Sequence, residues 1–202
     1  ADGPLNLLNA VKVAASPLAA GKGVLMVLND RIGAARHTVK THTTATDAFS
    51  TSGTGWIGTV VGGIVDFHGL ALRAHTNDTV FDLARITSLP TVDIVYGYQN
   101  AGAYLFEAAI NAGAKGIVFA ATGNGTLSEA AKRGATAARA HGVVFVRSTR
   151  VGGGAVTPHS VDSELDTVAA NSLNPQKARI LLSLALTLTN DPRRVQTFFD
   201  RY

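Results

Sequence analysis

The sequence predicts an α/β fold, with a mostly parallel sheet in the second half of the chain. From Thr91 onward, short apolar runs typical of strands alternate with alanine-rich helical segments. Such strand–helix–strand units place their strands parallel in one sheet. Residues 69–90 have no clear period and are interpreted as an interdomain connection. Residues 1–68 show a different pattern, so two domains are predicted, 1–68 and 91–202.

The composition is that of a well-packed globular protein. Of 202 residues, 46% are hydrophobic and 16% charged. The formal net charge is +4, but the basic residues are scattered and do not alternate with aromatic ones, so no nucleic-acid partner is predicted. No apolar run approaches the roughly 20 residues of a spanning helix, so no membrane partner is predicted. There is no cysteine, which excludes disulfides and thiol chemistry.

The chain begins with a predicted helix. Its apolar residues recur at helical spacing: Leu7, Leu8, Val11 and Ala15. Asp2 suits the N-cap and Pro4 the first turn. A helix of an α/β fold usually follows a strand, and none precedes this one. The pattern therefore predicts a further segment before Ala1.

Two strand signals follow in the first half. The continuous apolar run Gly23–Asn29 predicts a buried strand. Residues 31–47 are polar and threonine-rich, without a helical period. The runs Ile57–Val61 and Ile64–Phe67 are separated by Gly62-Gly63, which predicts a hairpin.

Regular alternation dominates the second half. The predicted strands are Val92–Tyr96, Gly116–Ala120 and Gly142–Val146, and the predicted helices between them are Ala101–Ala112 and Leu127–His141. Two more helices close the chain. Each begins at a capping residue followed by proline, at Asn174-Pro175 and at Asp191-Pro192.

A lysine among threonines is the first candidate for chemistry. Lys40 lies in His37–Thr44 with a histidine on each side. Two histidines without a nearby carboxylate or thiol do not make a zinc site, so no metal is predicted. One interpretation is an exposed β segment in which lysine protects an edge. The other is a lysine that lowers the pKa of a neighbouring hydroxyl nucleophile.

A glycine-rich turn is the second candidate. The segment Ala120–Glu129 follows a strand and opens a helix, a position that suits an anion or carboxylate. It matches a dinucleotide fingerprint only in part, because Ser128 occupies the third glycine position. Thr126 and Glu129 also fit a capping box, a purely structural role.

Further along, Gly152, Gly153 and Gly154 indicate a loop that is either mobile or approached closely by another group. Glu164 follows this loop. Its carboxylate would ordinarily be a solvated surface charge.

Together these segments resemble the bacterial type II L-asparaginases. The matching stretches span the chain in family order: Ala1–Pro4 with Asn9–Val11, Val27–Asp30, Val39–Thr41 with Thr43-Thr44 and Asp47–Phe49, Gly123–Gly125, and Leu173–Arg179. The resemblance implies the end of a larger N-terminal α/β domain followed by a smaller C-terminal α/β domain. It also implies hydrolysis of L-asparagine to L-aspartate and ammonia without a cofactor, with L-glutamine as the weaker substrate.

The resemblance assigns roles to three residues. Lys40 matches the lysine that assists the family's threonine nucleophile, which is expected upstream of Ala1. Thr126 and Glu164 match residues that one subunit donates to its neighbour's site, with Asp162 as the competitor for Glu164. Where Thr126 stands, other members carry Asn or Ser, which leaves the preference between asparagine and glutamine open.

The resemblance further implies a homotetramer, built as a dimer of intimate dimers, in the periplasm or secreted. Two other functions stay open from the sequence alone. One is an inactive fragment or interaction domain, because the chain has no Thr-Gly-Gly-Thr motif. The other is a nucleotide-binding module that uses Gly123–Thr126.

Overall fold

The structure is a computed structural model that describes residues 2–51 and 53–202. Two compact units compose it, Ala1–Thr79 and Val80–Tyr202. We call them the N-terminal unit and the C-terminal unit. Ala1, the first residue of the motif at the start of the chain, lies outside the described residues. The domain limits 1–68 and 91–202 stay a prediction.

The N-terminal unit packs one helix against a small antiparallel sheet. Its elements are α1 (Gly3–Ala15), β1 (Leu25–Leu28), β2 (Arg31–Ala34), β3 (Val39–Lys40), β4 (Phe49–Ser50), β5 (Gly58–Val61) and β6 (Ile64–Phe67). The main sheet has the order β1-β2-β5-β6, and β3 pairs with β4 alone. Its core consists of Val13, Ile32, Ala34, Ile57 and Val60.

The first helix and the hairpin confirm local sequence signals. Pro4 lies in the first turn of α1, and Asp2 occupies the N-cap. The Asp2 carboxylate accepts a hydrogen bond from the Asn6 side chain instead of capping a backbone N–H. The β5–β6 hairpin turns at Gly62 and Gly63, whose φ values of 57° and 81° are typical of a type I′ turn.

The prediction of a buried strand at Gly23–Asn29 is wrong in its burial. The strand is β1, an edge strand whose four residues are only half-buried. Asn29 and Asp30 turn the chain back at positive φ, so that β1 pairs antiparallel with β2. A strand with one neighbour and one covered face does not need a fully buried environment. The sequence pattern did not single out β2.

The C-terminal unit is built around a four-stranded parallel sheet, as predicted. Its elements are β7 (Val92–Tyr96), α2 (Tyr104–Asn111), β8 (Gly116–Ala121), α3 (Glu129–Ala140), β9 (Val144–Thr149), α4 (Ser160–Leu165), β10 (Thr167–Ala169), α5 (Pro175–Ala185) and α6 (Pro192–Arg201). The strand order is β10-β9-β8-β7. Every pair is parallel.

Helices cover both faces of this sheet. One core cluster joins Val118 and Val146 to Leu182 of α5 and Phe199 of α6. A second cluster, on α2 and α3, joins the rings of Phe106, Phe119 and Phe145, whose centroids lie 5.5–6.2 Å apart. Because both faces are covered, every residue of β8 and β9 is buried.

Phe81, inside the predicted connection 69–90, belongs to the first of these clusters. Its ring lies 5.5 Å from that of Phe198 and 5.4 Å from that of Tyr202. The aromatic ring therefore anchors this part of the segment to the C-terminal unit. In the described part of the chain, no helix is both long and apolar enough to cross a bilayer.

The predicted starts of the last two helices are confirmed. The Asn174 side chain accepts a hydrogen bond from the backbone N–H of Lys177. The Asp191 side chain does the same for Arg193. Each cap satisfies one N–H that the first helical turn leaves without an internal partner.

The predicted capping box of Thr126 and Glu129 is wrong. Helix α3 begins at Glu129, and its N-cap is Ser128, which accepts a hydrogen bond from the N–H of Ala131. Thr126 lies too early, because its own N–H donates to the carbonyl of Thr122 and closes the glycine turn.

We expect Ser128→Ala to lower the free energy of unfolding by about 1 kcal/mol, the usual contribution of a serine cap. Thr126→Ala is the matched control and should change it by less than about 0.5 kcal/mol, because an exposed side chain without a cap contributes little. Urea unfolding followed by circular dichroism measures both. Equal losses in the two variants would contradict the assignment of the cap.

Candidate functional site

The glycine turn presents Thr126 at the carboxyl end of β8. Gly123 and Gly125 have φ values of 49° and 71°, which L side chains rarely adopt. A Cβ on Gly125 would also lie 2.6 Å from Val156 and 2.9 Å from the guanidinium of Arg147. Only glycine fits there, and the turn leaves the Thr126 side chain exposed to solvent.

A buried arginine holds this turn from behind. Arg147 is 2% exposed in the middle of β9. Its Nη1 donates to the carbonyl oxygens of Asn124 and Gly125, at 3.2 and 3.1 Å. Its Nη2 donates to the carbonyl oxygen of Thr157, at 3.0 Å.

The rest of the guanidinium is bound by a carboxylate. Nε and Nη2 of Arg147 donate to the two oxygens of Asp162, at 2.7 and 2.6 Å. A guanidinium has five N–H donors, and these contacts use all of them. We call Arg147, Asp162 and the three carbonyl groups of Asn124, Gly125 and Thr157 the Arg147 clamp.

Asp162 is the centre of a second set of contacts. It also accepts hydrogen bonds from the hydroxyl of Thr167 and from the backbone N–H of His159, which caps α4. Burial alone would raise the pKa of the Asp162 carboxyl. The hydrogen bonds from Arg147, Thr167 and His159 outweigh burial and lower this pKa below its ordinary value.

Glu164 lies two residues further along α4 and is exposed. Its carboxylate makes no hydrogen bond to the described residues, whereas its carbonyl oxygen accepts one from Nη1 of Arg139, at 3.1 Å. Arg139 also forms an ion pair with Asp166 at the end of the same helix. Helix α4 is therefore fastened to α3, with the Glu164 carboxylate left in solvent.

Direct contacts also join the turn to the loop that precedes α4. The Asn124 amide donates to the Thr157 hydroxyl at 2.8 Å, and its oxygen accepts from the Thr157 N–H at 2.8 Å. Together with the clamp, this pair fixes the segment that carries Thr126 relative to the segment that carries Glu164. Hydrogen bonds thus link the two segments that carry these predicted residues.

Lys40 lies in the N-terminal unit, where it pairs with Phe49 across β3 and β4 and is exposed. The loop between these strands is held by His42, whose Nδ1 accepts hydrogen bonds from the N–H groups of Thr44 and Ala45. Thr38 is buried and donates to the carbonyl of Ala34. Within the residues that the structure describes, no group of acidic or histidine side chains could hold a metal ion.

Sequence patterns missed Arg147 and Thr157, and they placed Asn124 in the glycine turn without predicting its contacts. The sequence contains no sharp signal for Arg147, because it follows the apolar run Gly142–Val146 and begins the polar stretch Arg147–Arg150, where a charge is usually solvated. The partners of Arg147 lie 10 to 23 residues away from it in the chain. Their spacing follows no local period.

Family models cover both units. A model described as "Asparaginase, N-terminal" matches residues 1–72, and one described as "Glutaminase/Asparaginase C-terminal domain" matches residues 91–199. The chain belongs to the glutaminase/asparaginase family. This finding confirms the resemblance inferred from the motifs and agrees with the parallel sheet of the C-terminal unit.

Curated members of the glutaminase/asparaginase family align with the whole chain. L-asparaginase 2 of Bacillus subtilis (strain 168) is 57% identical over 202 residues, which are 100% of this chain and 54% of the relative. L-asparaginase 2 of Escherichia coli (strain K12) is 43% identical over 204 residues, 100% of this chain and 59% of the relative. The glutaminase-asparaginase of Pseudomonas fluorescens biotype A is 43% identical over 205 residues, 100% of this chain and 56% of the relative. The chain thus spans between half and two thirds of each relative.

The lowered pKa of Asp162 predicts an acid-sensitive clamp in this asparaginase-family chain. A carboxyl whose pKa is lowered by folding stabilises the protein fully above its ordinary pKa of about 3.9, and this contribution is lost as the pH falls through the folded pKa. Asp162→Asn should reduce stability at about pH 6 and flatten the further loss as the pH falls below about 4.

Urea unfolding across this pH range measures the effect. Asp82→Asn removes one negative charge from an exposed ion pair with Arg85 in the same unit, and it should leave the profile unchanged. A profile of the Asp162→Asn variant that runs parallel to wild type down to about pH 2 would contradict the role of this carboxyl.

Proposed function

We propose that the full-length protein hydrolyses L-asparagine to L-aspartate and ammonia, and that L-glutamine is its weaker substrate. The observation that carries this proposal is the match of both asparaginase models along the chain. Relatives named L-asparaginase 2 and glutaminase-asparaginase support the choice of a small amide substrate. The nucleophile is a threonine outside these 202 residues.

Lys40 assists that threonine. The hydroxyl oxygen attacks the side-chain amide carbon of the substrate, and the C–N bond breaks as ammonia leaves. Water then cleaves the resulting ester and releases aspartate. An ammonium group near the hydroxyl favours the alkoxide over the alcohol, so its charge matters most while negative charge develops on oxygen. The exposed position of Lys40 in a short hairpin fits this role, and it also fits a lysine that only protects the edge of a strand.

Thr126 and Glu164 form a subsite that one subunit donates to its neighbour. The Glu164 carboxylate binds the α-ammonium group of the substrate, and the Thr126 hydroxyl lies on the polar side of the same site. The contacts favour Glu164 over Asp162 for this role. Asp162 already accepts hydrogen bonds from Arg147, Thr167 and His159, whereas the Glu164 carboxylate is exposed.

A donated subsite requires an oligomer, and we propose a homotetramer built as a dimer of intimate dimers. The protein is expected in the periplasm or secreted. One relative, from Haemophilus influenzae, is named a probable periplasmic L-asparaginase and is 43% identical over 204 residues.

The alternative is an inactive fragment or interaction domain. Release of ammonia from L-asparagine by the full-length protein separates the two functions directly. Turnover supports the amidohydrolase, and its absence in a folded oligomer contradicts it. A nucleotide-binding module at Gly123–Thr126 is less favoured, because both family models describe asparaginase domains.

Lys40→Met should lower kcat for L-asparagine by about 100- to 1,000-fold and change KM by less than about threefold. The ammonium stabilises charge that exists only in the transition state, so ground-state binding is largely kept. Ammonia release under saturating substrate measures kcat. Lys12→Met removes one charge from the same unit and should leave both constants unchanged. An unchanged kcat in Lys40→Met would exclude this role.

Mixed oligomers test whether the subsite is donated. When Lys40→Met and Glu164→Ala chains are refolded together, a mixed intimate dimer has one site with both defects and one site with neither. Random pairing should restore about a quarter of wild-type activity.

Each variant assembled alone provides the baseline for this experiment. Recovery no greater than the sum of the two parents would place Lys40 and Glu164 in the same subunit's site. Light scattering on the same samples measures the assembly, and the mass of a stable monomer would contradict the tetramer.

A further inference from the structure

We infer that Arg147 is a positioning residue for the donated subsite, because its guanidinium fixes Thr126 and Glu164 relative to each other. The inference rests on the proposed function, since it assumes that these two side chains bind the substrate. The inference goes beyond the proposed function because it assigns the alignment of Thr126 and Glu164 to Arg147. The Arg147 side chain forms hydrogen bonds with neighbours of these two residues and not with their side chains.

The guanidinium has no donor to spare for a substrate. All five N–H groups are used within the clamp, and the side chain is 2% exposed. Arg147 therefore acts through the segments that it holds. Any buried guanidinium needs acceptors for its donors, and here those acceptors lie on three separate segments, which a single planar group joins.

The first arm of the clamp controls Thr126. Nη1 of Arg147 binds the carbonyl oxygen of Gly125, which belongs to the peptide bond that leads into Thr126. It also binds the carbonyl oxygen of Asn124. Because Nη1 donates to both carbonyl oxygens, it constrains the orientation of the turn relative to the guanidinium. The tilt of this peptide plane in turn sets the direction in which the Thr126 hydroxyl points.

The second arm controls Glu164. Nε and Nη2 of Arg147 bind both oxygens of Asp162, which lies in α4 two residues before Glu164. One of those oxygens also accepts the N–H of His159 at the helix start. A bidentate pair fixes the orientation of the Asp162 carboxylate as well as its distance from Arg147. The plane of the guanidinium therefore constrains the orientation of this six-residue helix.

Lysine cannot replace this geometry. An ammonium group presents three donors from one atom, whereas the clamp needs five donors from three nitrogens in one plane. Arg147→Lys would keep the positive charge beside Asp162 but release at least two acceptors. The conservative variant therefore separates the charge of this residue from its shape.

The test compares Arg147→Lys with wild type in the full-length protein. We expect KM for L-asparagine to rise about 10- to 100-fold with a smaller change in kcat, because the substrate-binding groups move while the nucleophile keeps its surroundings. Arg179→Lys is the matched control. Among the described residues, the Arg179 side chain donates one hydrogen bond, to the carbonyl oxygen of Val92, and its replacement should leave KM unchanged.

A double-mutant cycle asks whether Arg147 acts through Glu164. If it does, Arg147→Lys should raise KM much less in a Glu164→Gln background than in wild type. Fully additive effects on KM would overturn the inference. Asp162→Asn, which keeps the size of the side chain, opens only the second arm. It serves in the same cycle if Arg147→Lys does not fold.

Hydrogen exchange gives a readout that is independent of activity. Arg147→Lys should lose protection of backbone amides in both 123–128 and 160–166, and Arg179→Lys in neither. Unchanged protection in both segments would overturn the inference even in an active enzyme. A wild-type protein that releases no ammonia would instead overturn the proposed function, while the exchange data still decide whether one residue couples the two segments.

Discussion

The candidate subsite depends on a charge placed where water cannot reach it. Arg147 lies in β9 between Val146 and Ser148, both fully buried. Moving a guanidinium out of water costs several kcal/mol unless every donor finds an acceptor, and here one carboxylate and three carbonyl groups offset the cost. Since these acceptors come from three different segments of the chain, the turn, the loop and α4 cannot be arranged independently.

The parallel sheet makes such an arrangement possible. Strands β7 to β10 run in sequence order, so the loops that follow β8 and β9 leave the sheet side by side at its carboxyl edge. Helices packed on both faces shield these strands from solvent. The loops can therefore carry exposed polar groups while their bases are held by a rigid scaffold.

Local signals were sufficient to predict most of the C-terminal unit. Alternation of apolar runs and alanine-rich segments predicted three of the four strands but not β10. Asn-Pro and Asp-Pro predicted the last two helix starts, because these features depend on neighbouring residues only. The capping box at Thr126 failed because two competing hydrogen bonds, one within the turn and one at Ser128, could not be weighed from spacing. The burial of β1 failed because it depends on how many neighbours a strand has.

The site was predictable only where motifs carried it. Lys40, Thr126 and Glu164 came from resemblance and stay a prediction, and the contacts of Asp162 favour Glu164 in the proposed subsite. The clamp itself could not be predicted from the sequence. Its members are joined by the fold across 10 to 23 residues, and Arg147 stands at the polar end of an apolar run, where the sequence does not indicate burial.

The placement of the clamp also has consequences for chain length. The residues after β9 that bind Arg147 are Thr157 and Asp162. The glycine-rich stretch 151–155 lies between β9 and Thr157 and contains no residue of the clamp. Insertions or deletions there alter a solvent-exposed arc and leave Thr157 and Asp162 in place. One residue added within α4 before Asp162 would instead turn the Asp162 carboxylate by about 100° around the helix axis, away from the guanidinium. Chain length can therefore vary before Thr157 but is constrained in α4 up to Asp162.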